Sequence, residues 1–176
     1  MTLGPRSKLG LASFLILSVA LSCAYGWHLH ARSISSRALP PEEAAALEQS
    51  APGQRALWSI ESLEQSRGRA FIKGWAIVPG GRFSNARSAF LLRDTVDGTL
   101  YELRSFTYER LDIGQTYTPN HEDYLYNFDH DFAGISATAD LKSMPKGRGY
   151  EVMIRYDGGH GAQLIPTGRM VGEGAR

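Results

Sequence analysis

From residue 57 onward the chain consists of short apolar runs separated by glycine, proline and aspartate. Within 150–156, Val152, Ile154 and Tyr156 alternate with Glu151, Met153 and Arg155, which is the two-residue period of a half-buried strand. The runs predict about seven strands and no long amphipathic helix. Their ranges are 57–63, 69–78, 88–94, 100–108, 132–139, 150–156 and 163–171. We therefore predict an all-β fold, an antiparallel β-sandwich over residues 57–172.

Turn residues and glycines add detail to this sandwich. Asp97 and Gly98 lie between two strand runs, and both tolerate the positive φ of a tight hairpin turn. Gly74 stands inside a strand run, where glycine indicates a bulge or a close approach of backbone. Residues 110–131 lack a strand period, and a loop of that length is generally functional or disordered. Residues 173–176 are expected to form a short tail.

The N-terminus carries a different pattern. Residues 9–27 contain no formal charge and follow the basic residues Arg6 and Lys8. A helix of that length spans about 28 Å, close to the thickness of a bilayer core. We predict a transmembrane signal anchor, with residues 1–8 in the cytoplasm and the remainder in the periplasm, single-pass in a bacterial inner membrane.

Two other interpretations of the same segment remain open. Ser22 and Ala24 are small residues at −3 and −1 of a possible signal-peptidase cut after Ala24, which would give a secreted product. Residues 19–23 also resemble a degenerate lipobox, in which Cys23 would be lipidated and the protein would be a lipoprotein. Each alternative delivers the domain to the same side of the membrane.

Residues 28–56 are interpreted as a tether between the membrane and the sandwich. Pro40 and Pro41 precede Glu42 and Glu43, and this combination favours the start of a short helix. Such a helix is too short to be stable alone. The segment is therefore expected to act mainly as a spacer.

Composition and charge exclude several classes of function. Cys23 is the only cysteine, so the exported domain has no disulfide. Residues 1–37 hold four of the 19 basic residues, leaving 15 basic against 18 acidic residues in the remainder. That balance provides no basic face for nucleic acid. The chain also lacks a Gly-x-Ser-x-Gly motif and a phosphate-binding glycine loop, so we predict neither an enzyme nor a bound cofactor.

A family likeness is carried by the sequence Gly-Arg-Ala-Phe-Ile-Lys-Gly-Trp-Ala at residues 68–76. It resembles the GWA strand of immunoglobulin-like β-sandwich modules of the bacterial envelope, and later landmarks follow in the expected order up to about residue 171. Such modules are attached to glycosyltransferases and other cell-surface polysaccharide proteins. The resemblance implies an immunoglobulin-like sandwich in an accessory role.

The densest group of polar side chains lies at residues 120–131. His121, Asp123, Asp129 and His130 could supply nitrogen and oxygen ligands to Zn²⁺ or Ca²⁺. Their spacing matches no standard metal motif, and the alternative is an acidic, solvated loop. A metal-dependent or carbohydrate-active enzyme using this loop is the second hypothesis for the function.

Aromatic residues in the same region suggest recognition. Tyr117 and Tyr124 offer a flat apolar face and a hydroxyl, which suit a sugar or a protein partner. Trp75 is expected to anchor the core, and an Arg110–Asp112 ion pair is expected to hold the loop. The leading hypothesis is a non-catalytic, membrane-tethered envelope protein that binds a protein or glycan partner.

Overall fold

The computed structural model describes residues 17–23, 36–49, 56–78, 87–117, 132–157 and 162–173. From Ser36 onward these residues form nine strands, two α-helices and one 3₁₀ turn. In chain order they are β1 (Ser36–Ala38), α1 (Pro41–Gln49), β2 (Leu57–Ser66), β3 (Arg69–Ile77), β4 (Arg87–Asp94), β5 (Leu100–Leu103), β6 (Ser105–Tyr108), α2 (Leu111–Tyr117), β7 (Gly134–Asp140), the 3₁₀ turn Leu141–Ser143, β8 (Gly149–Asp157) and β9 (Ala162–Gly172).

The strands form two antiparallel sheets. One has the order β1-β5-β4-β8-β9 and the other the order β2-β3-β7-β6. The core lies between them, because alternate residues such as Ile72 in β3, Phe90 in β4, Ile135 in β7 and Val152 in β8 belong to one buried cluster. The prediction of an all-β, antiparallel two-sheet architecture is confirmed.

The predicted number of about seven strands is wrong, partly because the run 100–108 forms two strands in different sheets. The chain leaves the first sheet after Leu103 and enters the second at Ser105. The Ser105 hydroxyl accepts a hydrogen bond from the Phe90 amide at 2.8 Å and donates to the Leu103 carbonyl at 3.2 Å. This side chain supplies the bonds that a continuing strand would have made.

The other additional strand is β1, which lies in the segment interpreted as a tether. It pairs with β5, with Arg37 opposite Glu102. The helix α1 follows, and its Leu47 is buried with Leu91 and Met153 on the outer face of the five-stranded sheet. Residues 36–49 are thus built into the β domain through pairing and burial.

Gly74 lies opposite a bulge in β2, in line with the bulge or close backbone approach that its position in the sequence predicts. The register between β2 and β3 shifts between Ile60 and Ser62, which leaves Glu61 as the extra residue. A Cβ atom at Gly74 would lie 2.3 Å from the Ser59 carbonyl oxygen. Only glycine allows the two backbones to approach this closely.

At the N-terminus, residues 17–23 are helical. The side chains of Leu17, Val19 and Leu21 are exposed, and Cys23 is an exposed free thiol. Among the residues that the structure describes, no helix has both the length and the apolar character needed to span a bilayer. Most of the predicted segment 9–27 lies outside those residues.

Candidate functional site

The outer face of the four-stranded sheet is covered at one end by α2. Here Trp75 and Ile77 point away from the main core and pack against Ile113 of the helix. The Tyr117 ring lies over Trp75, with centroids 5.9 Å apart and planes tilted by 37°. Trp75 therefore anchors a second, outer cluster, whereas the sequence predicts a place in the core.

An ion-pair network fixes the start of α2. Arg110 donates two hydrogen bonds to Asp112, at 2.8 and 2.7 Å, and a third to Glu61 at 2.5 Å. The bulge presents Glu61 to this guanidinium. The hydrogen bonds from Arg110 lower the pKa of Asp112 to about 2, and the bond to Asp112 raises the pKa of Arg110. The predicted Arg110–Asp112 pair is confirmed, although Asp112 lies in the first turn of a helix.

Tyr108 closes this covered end. Its ring lies against Gly134, where a Cβ atom would approach to 2.7 Å, and its hydroxyl lies 3.4 Å from Glu61 Oε2. Burial raises the pKa of the Tyr108 hydroxyl. Lys73 Nζ lies 5.3 Å from the centroid of the same ring, within the range of a cation–π contact.

Beyond Tyr108 and Lys73 the outer face is open and forms a shallow groove of about 310 Å³. Phe71 and Phe106 are 48% and 50% exposed, although both are large apolar side chains. Exposed aromatic rings beside a groove are typical of a binding surface. The side chains of this groove come from all four strands, namely Ser62, Glu64, Phe71, Lys73, Phe106, Ser136 and Thr138.

The register arranges these side chains in two rows across the sheet. One row runs from Ser62 through Lys73 and Ser136 to Phe106. The second row runs from Glu64 through Phe71 to Thr138. Each phenylalanine is thus separated from the other by small hydroxyl side chains, with their Cα atoms about 12 Å apart for ideal strand spacing.

Two cations lie on the same outer face as the phenylalanines. Lys73 follows Phe71 at the next outward position of β3. Arg104 precedes Phe106, and its guanidinium carbon lies 5.5 Å from the centroid of the Phe106 ring. Within the described part of the chain, no carboxylate lies within salt-bridge distance of either cation.

The residues that the sequence singled out lie elsewhere. Tyr117 is described and packs on Trp75, outside the groove. Tyr124 and the four metal candidates His121, Asp123, Asp129 and His130 lie outside the described residues. In the ranges that the structure does describe, no group of three or more His, Cys, Asp and Glu residues could hold a metal ion.

Sequence reasoning missed Phe71 and Phe106. The signal in the sequence that could have identified them is their position in the strand. In β3, Phe71 lies on the same face as Arg69 and Lys73, and both of these residues are polar and exposed. A phenylalanine at a polar position of a half-buried strand indicates an exposed ring. Arg104 and Phe106 show the same relation at β6.

Comparison with known proteins identified no relative of this chain. The chain matches no family model, no curated protein and no solved structure.

Proposed function

We propose that this protein is a non-catalytic recognition module of the bacterial cell envelope, and that it binds a glycan in the groove between Phe71 and Phe106. The carrying observation is the pair of half-exposed phenylalanine rings on one open sheet face, separated by hydroxyl side chains. The support comes from their placement, because two exposed rings flank a groove that also carries polar side chains.

A glycan fits this groove better than a protein partner does. A sugar ring has an apolar face that packs on an aromatic side chain and hydroxyl edges that form hydrogen bonds. The groove supplies both, since Ser136 and Thr138 lie between the two rings. A protein hot spot instead requires a continuous, closely packed apolar centre, and here hydroxyl groups interrupt the apolar surface.

Attachment to the inner membrane through residues 9–27 is part of the proposal. Its support is the uncharged run in the sequence and the exposed apolar side chains of Leu17, Val19 and Leu21. A lipoprotein at Cys23 and a cleaved signal remain the alternatives. The domain would then lie in the periplasm, where cell-surface polysaccharides are assembled, with an immunoglobulin-like fold as the GWA resemblance implies.

Binding of the full-length protein to polysaccharides in affinity gel electrophoresis tests the proposal. Neutral and acidic polymers are each cast into native gels, and retardation of migration measures binding. Phe71→Ala and Phe106→Ala should each abolish most of the retardation, because each removes one of the two rings. If none of these polymers retards the wild-type protein, the proposal is contradicted.

Phe132→Ala is the matched control. This phenylalanine is 58% exposed and lies outside the groove, so its loss should leave binding unchanged. Loss of binding in Phe132→Ala with retention in Phe71→Ala and Phe106→Ala would place the binding surface at the adjacent segment 118–131 instead.

A further inference from the structure

We infer that the glycan bound in the groove is acidic, and that Lys73 and Arg104 contact carboxylate groups on separate sugar units. The inference rests on the proposed function, because it names the chemical class of the ligand for the same groove. It derives from the two cations on the groove face, Lys73 beside Tyr108 and Arg104 beside Phe106, which the requirement for sugar stacking alone does not explain.

The two cations are positioned to act on a ligand. Arg104 stacks on Phe106, so its guanidinium is held beside the ring while its remaining N–H groups face solvent. Lys73 is held beside Tyr108 at the inner end of the groove. A carboxylate is the anion that an arginine fork binds with two parallel hydrogen bonds.

The two cations lie beside different aromatic rings, an arrangement that suits a polymer. Lys73 lies on β3, and Arg104 precedes β6, which is two strands away across β7. With strands about 4.8 Å apart and about 3.3 Å per residue, the Cα atoms of these two residues are about 12 Å apart across the sheet. The Lys73 ammonium lies beside the Tyr108 ring and the Arg104 guanidinium beside the Phe106 ring, so a chain of acidic sugars lying over Ser136 and Thr138 passes both cations.

The one acid of the groove does not oppose this arrangement. Glu64 lies on β2, at the far side of Phe71 from Arg104, and it accepts a hydrogen bond from Ser62 at 3.3 Å. Its carboxylate therefore restricts an acidic chain to the β3-β7-β6 side of the face. An acidic ligand would supply the negative charge that no carboxylate of the described residues gives to these two cations.

The experiment compares polygalacturonate, alginate, hyaluronate and polysialate with forms whose carboxylates are methyl-esterified. Esterification removes the charge and keeps the sugar chain. The full-length protein should bind at least one acidic polymer about tenfold more tightly than its ester, and the preference should decrease as salt rises.

The variant Lys73→Gln/Arg104→Gln should lose this preference and bind the acidic polymer and the ester alike. Lys146→Gln/Arg169→Gln is the control with the same change in charge, since both of these cations are exposed and lie outside the groove. It should keep the preference. Loss of preference in both double variants would mean that net charge is responsible, and would overturn the inference.

The failures of the two proposals are distinguishable. Equal binding of the wild-type protein to acidic and esterified polymers overturns the acidic ligand and leaves a glycan-binding groove. Binding to none of the polymers, charged or neutral, overturns the proposed function and the inference with it. Binding of polyglutamate as tightly as any acidic glycan shows that charge alone is recognised, which also overturns the inference.

Discussion

Replacement of Gly74 by alanine directly tests the close approach of β2 and β3 at the bulge. The φ angle of Gly74 is not positive, so an alanine at this position would meet no backbone strain. The cost comes from contact, because the new Cβ would lie 2.3 Å from the Ser59 carbonyl oxygen. Carbon–oxygen contacts are normally about 3.3 Å, so β2 must move by about 1 Å. Overpacking of this kind costs about 1–3 kcal/mol.

We expect Gly74→Ala to lower the free energy of unfolding by about 2–3 kcal/mol, at the upper end of that range. The reason is that movement of β2 also displaces Glu61 from Arg110. Urea unfolding followed by tryptophan fluorescence measures the change, because Trp58 and Trp75 flank the site. Lys73→Ala, on the exposed side of the same strand, should change stability by less than about 0.5 kcal/mol. A Gly74→Ala effect as small as that would refute the close approach.

Two further predictions concern other parts of the domain. Thr99 and then Arg148 lower the pKa of Asp97 from 3.8 to about 2, so Asp97 stabilises the fold above about pH 4 and loses this contribution as pH falls towards 2. Asp97→Asn should therefore be less stable than wild type at pH 7, and the difference in urea midpoint should shrink as pH falls from about 4 through about 2. A difference that stays constant over this range would contradict the lowered pKa of Asp97. Leu47→Ala should lower the free energy of unfolding by about 2–5 kcal/mol because Leu47 is buried against the sheet, whereas the exposed Gln49→Ala should not. Unchanged midpoints in both variants would mean that residues 36–49 are only a spacer.

The parts of the fold that the sequence predicts are those set by local chemistry. The strand of Val152 and Ile154 follows from its alternation, and both residues are buried. The turn predicted at Asp97 and Gly98 is present between β4 and β5, with a positive φ of +76° at Gly98 but not at Asp97. The close approach of β2 at Gly74 follows from a glycine at a core-facing position of the strand. Each depends on neighbours in the chain, which the sequence displays.

The parts that it misses depend on distant partners. Ser36–Ala38 has no strand pattern and becomes β1 only by pairing with β5. The break after Leu103 follows from the divergence of two sheets, which periodicity within 100–108 does not record. The helix α2 begins where Arg110 meets Glu61, a residue about fifty positions earlier in the chain. Tertiary contacts decide all three features.

The candidate groove shows the same division. Phe71 could be placed on the outer face from its register alone. The sequence could not show that Phe71 and Phe106 share a face. The two strands that carry them are brought together by β7, which follows both in the chain. Conversely, Tyr117 is a residue type that often contacts ligands, yet its ring packs on Trp75. Burial by a neighbouring element distinguishes these aromatic residues, and composition does not.

The central claim is that ligand covers the open face of the four-stranded sheet. Hydroxyl-radical footprinting of the full-length protein, with and without a polysaccharide that retards it, tests this claim directly. We expect the exposed rings of Phe71 and Phe106 to be protected from oxidation, while Phe132 is oxidised equally in both states. Protection of Phe132 alone, with Phe71 and Phe106 oxidised to the same extent in both states, would contradict the account.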